Sequence, residues 1–373
     1  MSVGLYAHLP FCKSRCYYCA FYSQTANDNY TLYVKSLINE AEHEKDFLPT
    51  KTLNSVYLGG GTPSLLNVQQ LATLFNGLKN IFSVADNAEI TIEVNPDDVT
   101  EDYIKDLKMY TPINRISIGI QSFNDEELKI VNRRHNASTA KKALEIINKF
   151  YDNFSLDFIY GLPLQTCESW QDSINTALSF NPKHISAYSL SVEHGTYMEK
   201  MAEDKTVIIP DENFVVDCYN IIKDMLDKHG FIHYEISNYC LKDFEAKHNT
   251  NYWNDGKYLG LGAGAHSFNG KIRRWNVASV DEYMRLAGIG NFYGKENIDK
   301  KTAYNEYIML GLRTKKGINL DNIEKYFGEF YVINTKKYLS QIPYNHLIVN
   351  GLNYNLNDEG MLLADRYSVL FVI

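Results

Sequence analysis

Three cysteines near the start of the chain have the spacing of ligands to a metal cluster. Cys12, Cys16 and Cys19 follow one another in a C-x3-C-x2-C pattern. A 4Fe-4S cluster normally takes four cysteine ligands, so three closely spaced thiolates would hold such a cluster and leave one iron open. An open iron could bind an exogenous ligand and carry out chemistry on it.

Two other uses of these cysteines fit the sequence less well. A structural zinc site favours paired cysteines with a second pair elsewhere, whereas the other cysteines are scattered singly along the chain. A disulfide framework is typical of secreted proteins, and residues 1–8 have neither the basic region nor the apolar core of a secretory signal. The pattern therefore favours an iron-sulfur cluster, with zinc or idle thiols as the alternatives.

Polar groups follow the ends of several predicted strands in the first half of the chain. A run of three glycines and a threonine would let backbone groups approach a ligand closely. Carboxylates could accept hydrogen bonds from the ligand, and an amide could accept or donate them. In chain order these groups are Gly59, Gly60, Gly61 and Thr62, then Glu93, Gln121, Arg133 and Asp157. Together they predict a ligand cradle facing the cysteines.

The elements that must position these residues alternate between short β-branched runs and amphipathic helical patterns. Strands are predicted at residues 3–7, 55–58, 89–94, 115–120, 155–160 and 184–190. Helices are predicted at residues 30–45, 68–81, 100–109, 125–131, 138–150 and 169–179. This alternation predicts a parallel sheet that curls into a full or partial barrel. Ligands of such folds collect at the C-terminal ends of the strands, where the cysteines also lie.

The pattern changes after about residue 210. A helix is predicted at residues 211–229, a strand at 231–239 and a glycine-rich stretch at 259–266. Helices at 303–313, 320–327 and 335–342, followed by strands at 347–352 and 354–356, predict a winged-helix-like end domain. We therefore predict three regions: a partial barrel (1–210), an extension or linker (211–300) and a C-terminal domain (301–373).

Composition narrows the class of protein. With 45% hydrophobic and 22% charged residues, the 373-residue chain is typical of a globular protein. No apolar run approaches the roughly 20 residues that span a bilayer, so we expect a cytoplasmic protein. The net charge of -8 argues against a nucleic-acid partner. The short basic run at residues 271–274 is expected to be a solvated turn.

Taken as a set, these motifs resemble those of radical S-adenosylmethionine proteins, in the group that contains oxygen-independent coproporphyrinogen III oxidase (HemN) and the HemW haem chaperones. The resemblance covers nearly the whole chain and is carried by residues 6–12, the three cysteines, and residues 59–63, 93–96, 119–123, 133, 157–163 and 356–365. It implies an α/β fold with an incomplete, TIM-like (β/α)6 barrel and a C-terminal α+β, winged-helix-like domain.

The same resemblance implies the ligands and their residues. The three cysteines would hold a 4Fe-4S cluster, and S-adenosylmethionine would bind its open iron and be cleaved to a 5′-deoxyadenosyl radical. The residues expected around S-adenosylmethionine are Tyr6, Tyr18, Gly60, Gly61, Thr62, Glu93, Gln121, Arg133 and Asp157.

Two features separate the oxidases from the chaperones of this group. The oxidases carry a further cysteine two residues after the third one, where this chain has Phe21. The segment from His248 to Trp253 matches the H-N-x-x-Y-W motif of the chaperones. Imidazole and tyrosinate both ligate haem iron, so His248 and Tyr252 are candidate haem-site residues, on one face if the segment is helical. His266 is a further candidate with less support.

The favoured function is a haem chaperone that binds a 4Fe-4S cluster, S-adenosylmethionine and haem and transfers haem to an acceptor protein, which can be membrane-associated. The alternative is an oxidase that decarboxylates coproporphyrinogen III to protoporphyrinogen IX. The sequence leaves open whether the radical chemistry is catalytic, which residue ligates haem, what the acceptor is and whether the chain forms a homodimer.

Overall fold

The first half of the chain alternates strands with helices. The computed structural model describes residues 2–25, 29–290 and 292–373. The strands of this half are β1 (Val3–Leu9), β2 (Phe11–Cys12), β3 (Gln24–Thr25), β4 (Thr52–Gly60), β5 (Ser83–Val94), β6 (Arg115–Gln121), β7 (Phe154–Tyr160) and β8 (His184–Ser189). The helices are α1 (Tyr30–His43), α2 (Val68–Ile81), α3 (Glu101–Tyr110), α4 (Asp125–Ile130), α5 (Ala137–Phe150), α6 (Cys167–Leu178) and α7 (Tyr197–Glu203).

The second half mixes short strands with helices. Its strands are β9 (Ile232–Glu235), β10 (Asn238–Cys240), β11 (Lys257–Leu261), β12 (His266–Phe268), β13 (Ile272–Asn276), β14 (Tyr293–Asn297), β15 (Ile318–Asn319), β16 (Leu347–Asn350) and β17 (Asn353–Leu356). Its helices are α8 (Glu212–Lys228), α9 (Lys247–Trp253), α10 (Val280–Leu286), α11 (Lys300–Leu312), α12 (Leu320–Phe327), α13 (Glu329–Leu339), α14 (Asp358–Met361) and α15 (Ala364–Leu370). Among the described helices, none combines the length and the hydropathy needed to cross a membrane.

Local sequence signals set the starts of many helices. Asn67 forms a capping box with Gln70 at the start of α2, and the Thr100 side chain accepts a hydrogen bond from a backbone N–H in the first turn of α3. Such caps satisfy donors that have no partner within the helix. All six strands and all six helices predicted in residues 1–190 are present, whereas α7 was not predicted.

Twelve strands form one open sheet. β1, β4, β5, β6, β7 and β8 pair in parallel in chain order, and β11 pairs in parallel with the other side of β1. Beyond β11 lie β12, β13 and β14, and beyond β8 lie β10 and β9, all antiparallel. In the described part of the chain the sheet ends at β14 and β9 and does not close. The predicted incomplete barrel of an α/β fold is therefore confirmed.

The parallel strands are apolar on one face and polar on the other. Ile90 and Ile92 of β5 are buried in the main apolar core, which also contains residues of the surrounding helices. The alternate residues, Glu89, Thr91 and Glu93, point to the opposite face because side chains alternate along a strand. The interior of a TIM barrel is normally filled by large apolar side chains. A polar inner face instead predicts a cavity within the partial barrel.

Two predictions for residues 211–300 were wrong. The single strand expected at residues 231–239 is an antiparallel hairpin of β9 and β10. The basic run at residues 271–274 lies mainly in β13 and is not a solvated turn. Arg274 forms an ion pair with Glu44 and lies 4.2 Å over the ring of Phe47. These partners are more than 200 positions away, so no local pattern reveals them.

The last seventy residues have the predicted winged-helix-like arrangement. Helix α11 packs on a small sheet of order β15-β17-β16 and on α12, which in turn packs on α13. Tyr304, Ile308 and Phe371 belong to a separate apolar core. The helix expected at residues 335–342 is instead α13, which begins at Glu329 because Gly328, with φ of 96°, ends α12. The three-region division of the chain stays a prediction.

Candidate functional site

The inner face of the partial barrel lines a cavity of about 700 Å³. This volume is in the range of small-molecule sites. All three predicted cluster cysteines line it, together with residues from the C-terminal ends of β4, β5, β6 and β7. The structure thus brings the cysteines and the predicted strand-end groups to one site. Gly60, Gly61, Thr62, Glu93, Gln121, Arg133, Asp157 and Tyr18 all lie on its wall.

The cysteine loop begins at the end of β2 and is held by short hydrogen-bonded turns. The Cys19 N–H donates to the Cys16 carbonyl at 3.2 Å, and Arg15 Nη2 donates to the Cys19 carbonyl at 3.0 Å. All three thiols are free and half-buried. Burial raises the pKa of Cys12 and of Cys19. Without a metal or a nearby cation the thiols of Cys12 and Cys19 would therefore stay protonated at neutral pH.

A network of donors surrounds two of the sulfur atoms. Arg133 Nη1 donates to Cys16 Sγ at 3.4 Å, and Thr62 Oγ1 donates to Cys12 Sγ at 3.7 Å. The Asn95 side chain joins these donors, since its Nδ2 donates to Thr62 and its Oδ1 accepts from Arg133 Nη2 at 2.8 Å. The half-buried guanidinium places a positive charge and a hydrogen-bond donor beside the Cys16 sulfur. The network therefore suits thiolates that ligate a metal.

The three thiols lie together on the cavity wall, where separate sulfur atoms could each ligate one iron of a cluster. Across the described ranges, no group of three or more His, Cys, Asp and Glu side chains is arranged to hold one ion. In a 4Fe-4S cluster the cysteines ligate different iron atoms, so their sulfur atoms need not meet at one point. The donor network on Cys12 and Cys16 is also of the kind that tunes cluster sulfur ligands.

Two half-buried carboxyl groups lie on the same wall as the cysteines. Glu93 accepts hydrogen bonds from the Tyr57 hydroxyl at 2.7 Å and from the Gly60 N–H at 3.1 Å. Burial raises its pKa to about 7. Asp157 accepts from Ser117 Oγ at 2.8 Å, and burial raises its pKa as well. Both groups can accept hydrogen bonds from a bound ligand, and Glu93 can also hold a proton near neutral pH.

The glycine run was expected to let a ligand approach the backbone, but contacts within the protein itself explain why glycine is needed there. A Cβ at Gly60, whose φ is +108°, would lie 2.4 Å from the His8 ring. A Cβ at Gly61 would lie 2.6 Å from the Phe11 carbonyl oxygen. Both glycines line the cavity, but the space that a side chain would need is occupied by the protein itself. They are required for the packing of β4 against the start of the cysteine loop.

Gln121 and Tyr18 are placed by less common local structure. Gln121 has φ of +66°, at an irregularity in the pairing of β6 with β7. A Cβ at Gly119 would lie 2.8 Å from Gln121 Nε2, so the glycine makes room for that amide. Tyr18 is enclosed beside Cys16 and Arg133, and burial raises the pKa of its hydroxyl. Its ring therefore serves as a wall for the cysteine loop.

Tyr6 was predicted to contact S-adenosylmethionine, but it is not among the residues that line the cavity. Its hydroxyl is hydrogen-bonded to His8 Nδ1 at 2.9 Å, and His8 Nε2 contacts the Tyr22 carbonyl at 3.0 Å. Its ring stacks at 6.2 Å on that of Tyr57, which does line the cavity. Tyr6 therefore supports the wall from behind.

His248 and Tyr252 are also absent from the cavity wall. His248 Nδ1 is hydrogen-bonded to Ser55 Oγ at 2.9 Å and its Nε2 to the Tyr252 hydroxyl at 2.8 Å. Burial lowers the pKa of His248 to about 3, so the ring is neutral. With both ring nitrogens occupied, neither one is available to haem iron. The expectation that these two residues ligate haem is not supported by their contacts.

The H-N-x-x-Y-W segment closes the floor of the cavity. It forms the helix α9, which packs on β1 and β4 and is hydrogen-bonded to β5. Glu89 at the start of the buried part of β5 accepts hydrogen bonds from the backbone N–H groups of Lys247 and His248, both at 3.0 Å. Of the motif residues, Asn249 lines the cavity. His266 is exposed near Trp275, on β12, and is not part of this site.

Several wall residues were not predicted from the sequence. They are Tyr57, Asn95, Arg115, Ser117, His184, Ser186, Tyr188, Glu193 and Asn249. The sequence did contain a pattern that could have indicated them, because the parallel strands alternate polar and apolar residues, as in 115–120 and 184–189. In a fully buried parallel sheet both faces are normally apolar. Strict alternation in such strands therefore marks the face that lines a cavity.

Comparison with known proteins places the chain among relatives of one kind. The radical SAM superfamily matches residues 6–177, which include the cysteine loop and β4–β7. The heme chaperone HemW of Lactococcus lactis is 34% identical, over 99% of this chain and 97% of that protein. The heme chaperones HemW of Bacillus subtilis and Haemophilus influenzae are 34% and 31% identical, over 86% and 98% of their lengths.

A solved structure supports the fold. The chain is similar to coproporphyrinogen III oxidase (HemN) from Escherichia coli, a radical SAM enzyme, with a TM-score of 0.84 and 21% identity. The similarity covers 100% of this chain and 90% of that one. At this identity the comparison concerns the fold, including the partial barrel and the winged-helix-like end.

Proposed function

Since the chain belongs to the HemW family of the radical S-adenosylmethionine superfamily, we propose that it is a haem chaperone that binds a 4Fe-4S cluster, S-adenosylmethionine and haem and passes haem to an acceptor protein. The observation that carries the proposal is the 34% identity to the Lactococcus lactis heme chaperone over 97% of its length. We keep the cytoplasm as the expected location. The acceptor is left unnamed.

We assign the cluster to Cys12, Cys16 and Cys19. Support comes from their place on the cavity wall and from the donors Arg133 and Thr62 beside two of their sulfur atoms. When bound, the cluster and S-adenosylmethionine supply one-electron cleavage of a carbon-sulfur bond. The contribution of the chain is to hold the thiolates and to enclose the ligands.

We assign S-adenosylmethionine to the upper part of the cavity, next to the cysteines. Glu93 and Asp157 offer carboxyl oxygens to the amino or hydroxyl groups of the ligand, and Gln121 offers an amide. The Arg133 guanidinium is already bonded to Asn95 and to the Gly119 carbonyl at 2.6 Å. It therefore positions the cysteine loop and leaves direct recognition to the carboxyls. Tyr6 supports this wall without touching the cavity.

The oxidase alternative differs at a residue that the structure places at the cavity. Phe21 lines the cavity where the oxidases carry a further cysteine, and 71% of its surface is exposed. An exposed phenylalanine cannot ligate a metal or transfer a proton. This position supports the chaperone over an enzyme that needs a thiol there.

The test uses the full chain with its cluster reconstituted under anaerobic conditions. Haem is titrated into the protein and followed by absorbance, and a parallel sample receives coproporphyrinogen III, S-adenosylmethionine and a reductant. We expect a saturable haem-dependent absorbance change and no loss of carboxyl groups from coproporphyrinogen III. Absence of haem binding would overturn the proposal, and loss of two carboxylates per substrate molecule would replace it with the oxidase.

A further inference from the structure

The cavity extends below the residues assigned to S-adenosylmethionine. Arg115 precedes Gly119 by four positions on β6, which places their Cα atoms about 13 Å apart along the strand. The lower part of the wall, which we call the lower chamber, consists of Arg115, Ser117, His184, Ser186 and Asn249. Neither the cluster nor the upper residues account for this chamber.

Arg115 is buried without hydrogen bonds. The residue has an exposed fraction of 2%, its Nε is buried with no hydrogen-bond partner, and its guanidinium makes no side-chain hydrogen bond within the described residues. The nearest carboxylate, Glu89, is 3.9 Å from Nε, and its two oxygens already accept the backbone N–H groups of Lys247 and His248. Glu89 balances the charge of Arg115 but does not satisfy its donors. Buried polar groups are nearly always hydrogen-bonded. The guanidinium of Arg115 therefore has an ion-pair partner in Glu89 but lacks the hydrogen-bond acceptor expected at a buried position.

Asn249 is the second unpaired donor of the lower chamber. Its side chain has no hydrogen bond in the described part of the chain, although its neighbour His248 is tied to Ser55 and Tyr252. The polar groups beside it are already engaged. His184 is hydrogen-bonded through both ring nitrogens, to Ser155 and to the Tyr234 hydroxyl, while Ser117 donates to Asp157.

The hydrogen-bond donors of Arg115 and Asn249 indicate which chemical group the chamber would bind. A guanidinium presents parallel N–H groups that match the two oxygens of a carboxylate, and a nearby amide NH₂ adds a further donor. Two carboxyl groups of the cavity wall, Glu93 and Asp157, have raised pKa values because of burial. They oppose an incoming anion less than two fully ionised groups would.

We propose that the lower chamber binds a carboxylate through Arg115 and Asn249, as one end of a ligand whose other end reaches the cysteine loop. The identity of that ligand rests on the proposed function, which makes the carboxylate a propionate of haem. In this account the H-N-x-x-Y-W helix acts in haem binding through Asn249 on the cavity floor, while His248 is a positioning residue.

The experiment compares haem with haem dimethyl ester, in which both propionates are blocked. Both compounds are titrated anaerobically into the reconstituted wild type, Arg115→Gln, Arg115→Lys and Asn249→Ala, with S-adenosylmethionine titrated separately. Arg285→Gln is the matched control because that side chain is exposed on α10. Thermal unfolding of each variant shows whether it is folded.

We expect the wild type to prefer haem over its ester by about tenfold, since hydrogen bonds to charged groups are worth at least that much. Arg115→Gln should abolish the preference, Arg115→Lys should keep part of it, and Asn249→Ala should reduce haem affinity a few-fold. The control should match the wild type. The comparison of haem with its ester in the wild type remains decisive even if a variant fails to fold.

Other outcomes separate the inference from the proposed function. Loss of S-adenosylmethionine affinity in Arg115→Gln, with unchanged haem affinity, would keep the carboxylate site and assign it to S-adenosylmethionine. Equal binding of haem and ester by the wild type, together with unchanged S-adenosylmethionine affinity in Arg115→Gln, would overturn the site. If the wild type binds neither porphyrin, the haem chaperone proposal fails and the S-adenosylmethionine titration alone decides the site.

Discussion

Replacing His248 by alanine should destabilise the fold without changing how haem iron is ligated. The substitution removes the hydrogen bonds to Ser55 Oγ and to the Tyr252 hydroxyl, at 2.9 and 2.8 Å. It also leaves the buried Ser55 hydroxyl and the half-buried Tyr252 hydroxyl without that partner. An unsatisfied buried group costs about 1–3 kcal/mol, and the missing ring adds a void. We therefore expect the free energy of unfolding to fall by about 2–4 kcal/mol.

The assay is urea unfolding of His248→Ala and wild type at pH 7, where the ring is neutral because burial lowers the pKa of His248 to about 3. His266→Ala is the matched control, since His266 is exposed on β12. Its free energy of unfolding should stay within about 0.5 kcal/mol of the wild type.

The same variants report on haem ligation. With both nitrogens of His248 hydrogen-bonded, the positions of the haem absorbance bands should be the same in His248→Ala and wild type, while haem affinity falls as the floor helix loosens. An unchanged free energy of unfolding, combined with a shifted haem spectrum, would refute the structural role of His248 and restore it as an iron ligand.

Three further predictions follow from the site and the buried charges. Arg133→Ala should bind less iron after reconstitution and lose it faster to a chelator, because the sulfur beside it loses its cationic donor; equal iron retention would contradict this role. Phe21→Cys should change the free energy of unfolding by no more than about 0.5 kcal/mol, since the side chain is 71% exposed, and should gain no activity on coproporphyrinogen III; a gain would mean that this residue alone separates chaperone from oxidase. Burial raises the pKa of Glu40 to about 8 and those of Glu93 and Glu235 to about 7, so the folded state retains protons that the unfolded chain has released. The free energy of unfolding of the metal-free protein should therefore fall as pH rises from 6.5 to 8, by up to about 1.4 kcal/mol per pH unit for each carboxyl still protonated; urea unfolding across this range would contradict the reasoning if stability rose.

Much of the barrel follows from local sequence patterns. Strands β1 and β4–β8 are short runs bounded by turn residues, and the helices between them have polar caps and one apolar face. The cysteine loop follows the first strand, so its place at the C-terminal edge could be predicted as well. These features depend on residues that are close in the sequence.

Features that depend on distant partners could not be predicted. The imidazole of His248 is tied to Ser55, 193 positions earlier, so the motif gave no sign that its ring is hydrogen-bonded within the fold. The sequence predicted that Gly61 allows a ligand to approach the backbone, whereas the structure shows that a side chain there would collide with the Phe11 carbonyl. From the sequence, Arg115 is only the first residue of a predicted strand. That its side chain lines a cavity depends on the curvature of the whole sheet.

We propose that this chain carries haem and does not decarboxylate a porphyrinogen. The most direct measurement gives the anaerobically reconstituted protein haem and, in a second sample, coproporphyrinogen III with S-adenosylmethionine and reductant, and follows both by absorbance and product analysis. We expect saturable haem binding and unaltered coproporphyrinogen III. No haem binding together with loss of two carboxylates from coproporphyrinogen III would contradict the proposal.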